Sequence, residues 1–292
     1  MRSEKEMMEL IIEVAEKDDR IRAAFIGGSR CNPNAPKDIF QDYDIEYIVT
    51  DTKPFREDKA WIDQFGERLY MQYPEEDVFY PSDPDNCYAW LIQFADGVRL
   101  DLTVCTLEYR LPELKKDRMY RVLLDKDNCL PPIAEDELSD CRFWVSKPDQ
   151  EMFLCTCNEF WWCLNNVAKG LWRDELPYVM DMINMVIRPQ LLRLIEWKIG
   201  IQTSFSVSIG KSGKYISRWL SKRMYQRYLD TYPVADKDAI WKAVFLMCDM
   251  VDELAEEIAV ALGFVYNTRE AKASRAFLEH VRHLPKEAKE VY

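Results

Sequence analysis

The residues from Arg22 to Val49 read RAAFIGGSRCNPNAPKDIFQDYDIEYIV, in which two apolar runs flank a glycine turn and a proline-containing loop. The first run predicts a short strand over Arg22 to Ile26, which Gly27 and Gly28 end. The second run predicts a strand near Asp42 to Val49, because acidic and apolar residues alternate along it. The stretch therefore predicts two strands joined by a loop that has no regular structure.

The acidic residues of the second predicted strand share one face. Asp42, Asp44 and Glu46 alternate with residues that pack inward, and residues two apart on a strand lie roughly 6 to 7 Å apart. Carboxylates at this spacing can converge on a hard cation such as Mg²⁺, which takes oxygen ligands and bridges phosphates. The alternative is an ordinary solvated strand face, and this strand alone leaves both interpretations open.

Two further features favour a phosphate and metal site. Gly28, Ser29 and Arg30 follow a strand in a glycine turn, where free backbone amides and a hydroxyl can cradle phosphate oxygens. Asp101 is a lone acid in the apolar run LDLTV of another predicted strand. Because an unpaired carboxylate among apolar residues is costly, Asp101 should face partners, a metal or a cleft.

This ordered set resembles the nucleotidyltransferase superfamily, whose signature is a Gly-Ser turn, an Asp-x-Asp strand and a third Asp. The block from Gly27 to Glu46 is similar to that of the aminoglycoside 6-adenylyltransferases, or streptomycin adenylyltransferases. The similarity extends to KGLWRD at 169–174 and GKSGKY at 210–215. The resemblance implies a nucleotidyltransferase domain, a helical domain, and an ATP and magnesium site in the cleft between them.

The rest of the chain predicts an α+β fold in which a mixed sheet with helices precedes an all-α helical bundle. A helix is expected around Met7 to Ala15, and a hairpin is expected where Asp96-Gly97 joins two β-prone runs. A linker-like stretch from Leu130 to Gln150 precedes the helical part, so we predict domains over 1–147 and 148–292. The predicted helices of the second domain are Glu151 to Lys169, Tyr178 to Ile199, Ser212 to Leu229, Asp236 to Leu262 and Arg269 to Val281.

Basic residues cluster after Gly210 with no acid among them. The helix predicted over Ser212 to Leu229 would place Lys214, Arg218 and Lys222 on one face. This face is either a solvated stripe or part of a triphosphate site. In an acidic protein that must hold a triphosphate, Lys211 and Lys214 are the preferred phosphate ligands, and the superfamily resemblance supports a lysine there.

Candidate antibiotic contacts lie in the predicted helices. Trp172 could stack on a sugar ring, while Glu159, Asp174 and Asp181 could meet guanidinium groups. The alternative for each is structural, with the tryptophan in the helix core and the acids on a solvated face.

Charge and composition limit the partners. The chain carries 39 Lys and Arg against 51 Asp and Glu, a net charge of −12, and residues 1–150 hold all of the acidic excess. Such a protein repels phosphate backbones, so a cationic small molecule is expected rather than nucleic acid. No signal peptide or membrane span is evident, which predicts a cytoplasmic protein, and a monomer is expected.

The predicted function is transfer of AMP from Mg-ATP to the hydroxyl at position 6 of streptomycin, with release of pyrophosphate and inactivation of the antibiotic. Asp42 and Asp44 would hold magnesium, and Asp101 would complete the metal site or take the acceptor proton. Gly28, Ser29 and Arg30 would bind the nucleotide. The alternatives are a nucleotidyltransferase acting on an RNA end or a protein, and a non-catalytic binding module of the same fold.

Overall fold

The chain forms two compact units in the computed structural model, which describes all residues from 1 to 292. The first unit is Met1–Arg142 and the second is Phe143–Tyr292. They divide a few residues before the boundary predicted after residue 147. The predicted linker holds no α-helix or strand from Leu130 to Asp149, only two short 3-10 turns, Glu135–Glu137 and Cys141–Phe143, and a helix begins at its last residue, Gln150.

The first unit is built on a six-stranded mixed sheet with the strand order β3-β4-β5-β2-β1-β6. All neighbouring strands pair antiparallel except β2 and β5, which run parallel. The strands are β1 Ile21–Ile26, β2 Tyr43–Val49, β3 Arg68–Gln72, β4 Cys87–Phe94, β5 Arg99–Thr106 and β6 Arg121–Asp125. The helices of this unit are α1 Glu4–Lys17, α2 Lys53–Glu57 and α3 Leu107–Leu114.

One face of the sheet is packed into the core beneath α1. Tyr43, Ile45 and Tyr47 of β2 are buried, as the predicted alternation requires. The hydroxyl of Tyr47 donates to the backbone carbonyl of Ile11 in α1 at 2.6 Å, which ties the helix to the strand. Ser3 is the N-cap of α1 and forms a capping box with Glu6. The opposite face of β2 is thereby left for the acidic residues.

The predicted hairpin is confirmed, whereas β3 and β6 were not predicted. The β4–β5 turn is closed by Asp96, whose side chain accepts from the backbone N–H of Val98 at 3.1 Å. Both unpredicted strands lie at edges of the sheet, where large apolar residues such as Leu69, Tyr70 and Val122 are exposed. Their apolar residues therefore carry no clear inward and outward pattern.

The second unit is helical, with a core formed by fully buried residues that include Phe160, Leu164, Leu194, Met247 and Leu254. Its helices are α4 Gln150–Arg173, α5 Leu176–Asp181, α6 Arg188–Gln202, α7 Lys222–Leu229, α8 Lys237–Leu262 and α9 Thr268–Arg282, and a π-helical segment, Met182–Ile187, joins α5 to α6. Asp149 and Asp236 cap α4 and α8 through their side chains. None of these helices combines the length and apolar character that crossing a bilayer requires.

The helix predicted from Ser212 to Leu229 is wrong over its first half. Two short 3-10 turns, Lys211–Gly213 and Ile216–Arg218, occupy this stretch, and α7 begins only at Lys222. Gly210, Ser212 and Gly213 all have positive φ angles, which a continuous right-handed helix cannot accommodate. The basic residues after Gly210 therefore do not form one helical stripe.

Candidate active site

The parallel pairing of β2 with β5 places two predicted site residues side by side on one face of the sheet. Asp44 lies directly opposite Asp101 in the register of the two strands, and Asp42 stands one residue before β2. One carboxylate oxygen from each of Asp42, Asp44 and Asp101 lies within 4.8 Å of the others. We call these three residues the acid triad. Each is partly exposed, so the triad is open to a ligand.

The glycine turn fits against the triad through Gly28. The backbone N–H of Gly27 donates to the carbonyl of Asp44 at 2.8 Å, which joins the turn to β2. Gly28 has a φ of +63°, and a Cβ on it would stand 1.7 Å from an Oδ of Asp44. No side chain can therefore occupy this position without moving the carboxylate.

Arg30 and Gln41 hold the turn against the start of β2. The Arg30 guanidinium donates to the carbonyls of Asp42 and Gln41 at 2.8 and 3.0 Å, and stacks 3.8 Å above the Tyr43 ring. Gln41 donates through Nε2 to the carbonyl and hydroxyl oxygens of Ser29 at 3.3 and 3.4 Å. These contacts let Arg30 position the backbone at Asp42, and its predicted role as a nucleotide ligand stays a prediction.

The electrostatics of the triad favour a cation. Burial, followed by the negative charges of Asp42 and Asp101, raises the pKa of Asp44 to about 6 from its ordinary value of 3.8. A cation placed among these oxygens relieves this repulsion, and three carboxylates are a donor set suited to magnesium. The residues present therefore fit a divalent metal ion.

Two arginines at this face were missed by the sequence analysis. Arg99 lies two residues before Asp101 on β5, and its Nε and Nη2 donate to both Asp101 oxygens at 2.9 and 2.7 Å. Arg110 of α3 holds Glu46 through a two-point ion pair of 2.5 and 2.7 Å. Burial raises the pKa of Glu46 despite this arginine. The charge of Glu46, the third acid of the strand face, is thus balanced by Arg110, and Glu46 lies outside the triad.

Comparison with known proteins agrees with this geometry. A family model described as streptomycin adenylyltransferase matches residues 1–281. The chain belongs to the streptomycin adenylyltransferase family. It is accordingly an enzyme, an aminoglycoside nucleotidyltransferase, which confirms the resemblance inferred from the sequence.

Similar proteins cover nearly the whole chain. The aminoglycoside 6-adenylyltransferase of Bacillus subtilis (strain 168) is 37% identical over 267 residues, 91% of this chain and 93% of that protein. The one from Campylobacter jejuni is 37% identical over 276 residues, 94% of each chain. A crystal structure of an aminoglycoside 6-adenyltransferase from Bacillus subtilis covers 97% of this chain and 100% of its own, with 31% identity and a TM-score of 0.49.

The lysines predicted to bind phosphate belong to the second unit of this family member. Lys211 opens the 3-10 turn after Gly210, and Lys214 follows that turn, with its ammonium 5.0 Å from the centre of the Tyr215 ring. A Cβ on Gly210 would stand 2.7 Å from the Tyr215 ring, so glycine is required for the turn to fold. The two lysines are thus fixed by a tight turn rather than by a helix.

The predicted antibiotic contacts do not form a single cluster. Trp172 donates to the carbonyls of Leu284 and Pro285, and Asp174 forms ion pairs with Lys237 and Lys286. Glu159 lies on the same helix as Trp172 but about 20 Å along it, at the usual rise per residue. Asp181, at the end of α5, is exposed. Their role toward the antibiotic stays a prediction.

Removing the Asp44 charge is expected to stabilise the metal-depleted enzyme above pH 6. Because folding raises the pKa of Asp44, its stabilising contribution is fully present below about pH 4 and is lost as the pH rises through about 6. In EDTA at pH 7.5, Asp44→Asn should therefore gain about 1 to 3 kcal/mol, a few degrees in Tm. Thermal unfolding at pH 4 and pH 7.5 measures this difference.

The control for this experiment is Asp19→Asn, which removes one exposed carboxylate from the same unit. It should leave the Tm nearly unchanged at both pH values. An Asp44→Asn variant that is less stable than the parent at pH 7.5, or equally stabilised at pH 4, would contradict the repulsion within the triad.

Proposed function

We propose that this enzyme transfers AMP from Mg-ATP to the hydroxyl at position 6 of streptomycin and releases pyrophosphate. The observation that carries the proposal is the acid triad, whose oxygens lie within 4.8 Å of one another beside the Gly28-Ser29 turn. Membership of the streptomycin adenylyltransferase family supports the same acceptor. The product, an adenylylated antibiotic, would no longer fit its target, so the activity is one of antibiotic resistance.

Asp42, Asp44 and Asp101 are the residues that would hold magnesium. Bound magnesium supplies charge neutralisation of the triphosphate and polarises the phosphorus that is attacked. Arg30 fixes the backbone at Asp42 through its hydrogen bonds, and Gly28 fixes the position of the Asp44 carboxylate. The turn thus positions Asp42 and Asp44, and the parallel register of the two strands places Asp101 beside Asp44.

The transfer itself is an in-line displacement at the α-phosphorus. The acceptor hydroxyl oxygen forms a bond to this phosphorus, and the bond to the oxygen that bridges to the β-phosphorus breaks, so pyrophosphate leaves with the electron pair. The hydroxyl proton must pass to a base. With only two histidines in the chain, a carboxylate is the natural acceptor, and Asp101 takes this role or completes the metal site.

The β- and γ-phosphates are assigned to Ser29 with its preceding glycine amides and to Lys211 and Lys214. Backbone amides in a turn of positive φ form a concave surface suited to anions. The turn at Lys211 contains Ser212 at a φ of 55°, an uncommon conformation for a residue with a side chain. Such conformations concentrate at functional sites, which supports the assignment.

A guanidinium-bearing antibiotic suits the charge of this chain. Residues 1–150 hold all of the acidic excess, and carboxylates bind guanidinium groups through two parallel hydrogen bonds. An RNA end would need a basic groove, which the same excess opposes. We further propose that the enzyme acts as a cytoplasmic monomer.

Streptomycin is expected to be modified and kanamycin to be a poor substrate. The physical reason is that streptomycin carries two guanidinium groups, whereas kanamycin offers only ammonium groups, which lack the planar fork. The measurement incubates the enzyme with ATP, Mg²⁺ and each antibiotic, and follows pyrophosphate release together with the gain of one adenylyl group by mass spectrometry. Omission of the antibiotic gives the background of ATP hydrolysis.

The outcomes separate the candidate functions. The reverse preference would overturn the streptomycin assignment while leaving an aminoglycoside acceptor. Pyrophosphate release only with an added RNA or protein would favour the alternative acceptors. No transfer to any acceptor, despite ATP binding, would favour a binding module.

A further inference from the structure

Arg99 bridges two of the three acids of the triad. It opens β5 two residues before Asp101, so both side chains lie on the same face of the sheet. Its guanidinium binds both oxygens of Asp101 at 2.9 and 2.7 Å, and its Nε is 3.9 Å from an Oδ of Asp42. A single positive charge therefore already stands among the oxygens that would bind a metal ion.

This arginine cannot be neutralised in place. The hydrogen bonds that Arg99 donates to Asp101, together with the negative charges of Asp101, Asp42 and Asp44, raise the already high pKa of Arg99. Both oxygens of Asp101 accept from the guanidinium, so a metal ion that binds Asp101 meets the positive charge of Arg99 at close range unless the arginine moves away. The Arg99 guanidinium and a metal ion therefore compete for Asp101, and the arginine can yield only by moving its side chain.

The structure leaves Arg99 room to move. Its side chain is 49% exposed, whereas that of Asp101 is 18% exposed, so the arginine forms the outer and the acid the inner half of the pair. Arg99 also lines a cavity of about 670 Å³ within the first unit, together with Lys37, Gln41 and Gln93. A long, half-exposed side chain beside such a cavity can rotate away from the acids without leaving a buried void.

We propose that Arg99 is an exchangeable counter-ion of the acid triad, which neutralises Asp101 and Asp42 until a divalent cation displaces it into the adjacent cavity. The proposal rests on the proposed function, because it takes the triad as the metal site. Arg99 is thus a positioning residue with two effects. It keeps three close carboxylates compatible with folding when no metal is bound, and it weakens the binding of metal to the triad.

The test compares Mn²⁺ binding and thermal stability in Arg99→Gln and the parent enzyme. Loss of the competing charge should lower the Kd for Mn²⁺ by about 5- to 10-fold, because a unit charge a few ångströms from a divalent ion is strongly repelled. Free Mn²⁺ is measured by electron paramagnetic resonance. In EDTA the same variant should unfold at a lower temperature than the parent, and saturating Mn²⁺ should remove that difference.

Two variants control for charge and shape. Arg22→Gln also removes an arginine that binds an acid of the first unit, Asp127, but not an acid of the triad. Its Mn²⁺ affinity should stay within about twofold of the parent, since distant exposed charges are screened. Arg99→Lys keeps the positive charge but cannot form the two-point contact with Asp101. Its Kd for Mn²⁺ should lie between the values of Arg99→Gln and the parent.

The outcomes distinguish this inference from the proposed function. If Asp44→Asn abolishes Mn²⁺ binding but Arg99→Gln binds Mn²⁺ no more tightly than the parent, the counter-ion role is overturned and the metal site stands. If neither Asp44→Asn nor Asp101→Asn changes Mn²⁺ binding, the metal site itself is wrong, and the inference falls with it. Tighter binding in Arg99→Gln together with a lower Tm in EDTA supports the exchange.

Discussion

Replacing Asp101 by asparagine is expected to lower AMP transfer by at least about 10²-fold while the protein stays folded. Asn keeps the size and shape of the side chain but removes the charge that holds a metal ion or accepts the hydroxyl proton. Positioned proton transfer alone contributes about 10²- to 10⁴-fold, and loss of a metal ligand can cost as much. Steady-state turnover with ATP and streptomycin measures the effect, and circular dichroism checks the fold.

A magnesium titration of the Asp101→Asn variant separates its two possible roles. Partial recovery at high Mg²⁺ indicates a ligand, whereas no recovery indicates the base. Asp85→Asn is the control, because Asp85 is an exposed acid of the same unit that pairs with Arg56. It should keep parental turnover, and near-parental turnover in Asp101→Asn as well would show that Asp101 is only a strand residue.

Gly28→Ala is expected to reduce turnover by at least about 10²-fold, even though the change adds a single methyl group. The added carbon would stand 1.7 Å from an Oδ of Asp44, so the carboxylate or the turn must shift. Displacement of a catalytic group by about 1 Å costs on the order of 10²-fold in rate. The measurement is turnover per folded molecule, with the folded fraction taken from thermal unfolding.

Gly263→Ala is a matched control for the backbone strain of that substitution. Gly263 ends α8 with a φ of +73°, close to the φ of Gly28, but a Cβ there would meet nothing within 4 Å. This variant should lose about 1 kcal/mol of stability and keep its turnover. Equal turnover in the two alanine variants would show that the contact between Gly28 and Asp44 is not needed for catalysis.

The sequence was most informative where one face of a strand is buried. The alternation through Tyr43, Ile45 and Tyr47 predicts which face of β2 carries the acids, and the structure agrees, because burial of one face imposes a period of two. The parallel register that joins Asp44 to Asp101 could not be predicted. It depends on a pairing between distant strands, which no local pattern encodes.

Arg99 and the turn at Lys211 show two other limits. Asp101 looks like a lone acid in an apolar run, but the alternation along the same strand places Arg99 on its face and is enough to predict that the two side chains meet. The helix predicted from Ser212 failed because the helix-forming basic residues outweigh the single glycine, Gly213, in a pattern-based prediction. In the fold, Ser212 and Gly213 both adopt positive φ angles, which prevent a helix at this point.

The parallel pairing of β2 and β5 keeps the three carboxylates of the acid triad close together, and the free energy for this comes from elsewhere in the sheet. Like charges repel, so nothing in the three carboxylates themselves brings them together. Leu100 and Leu102, on either side of Asp101, are fully buried on the opposite face of the sheet. A slip of one residue would expose both leucines and bury the aspartate, so the apolar core resists any shift in register. The hydrophobic effect thus maintains the charge density of the triad, and we expect changes to the core beneath β5 to alter turnover although they touch no substrate.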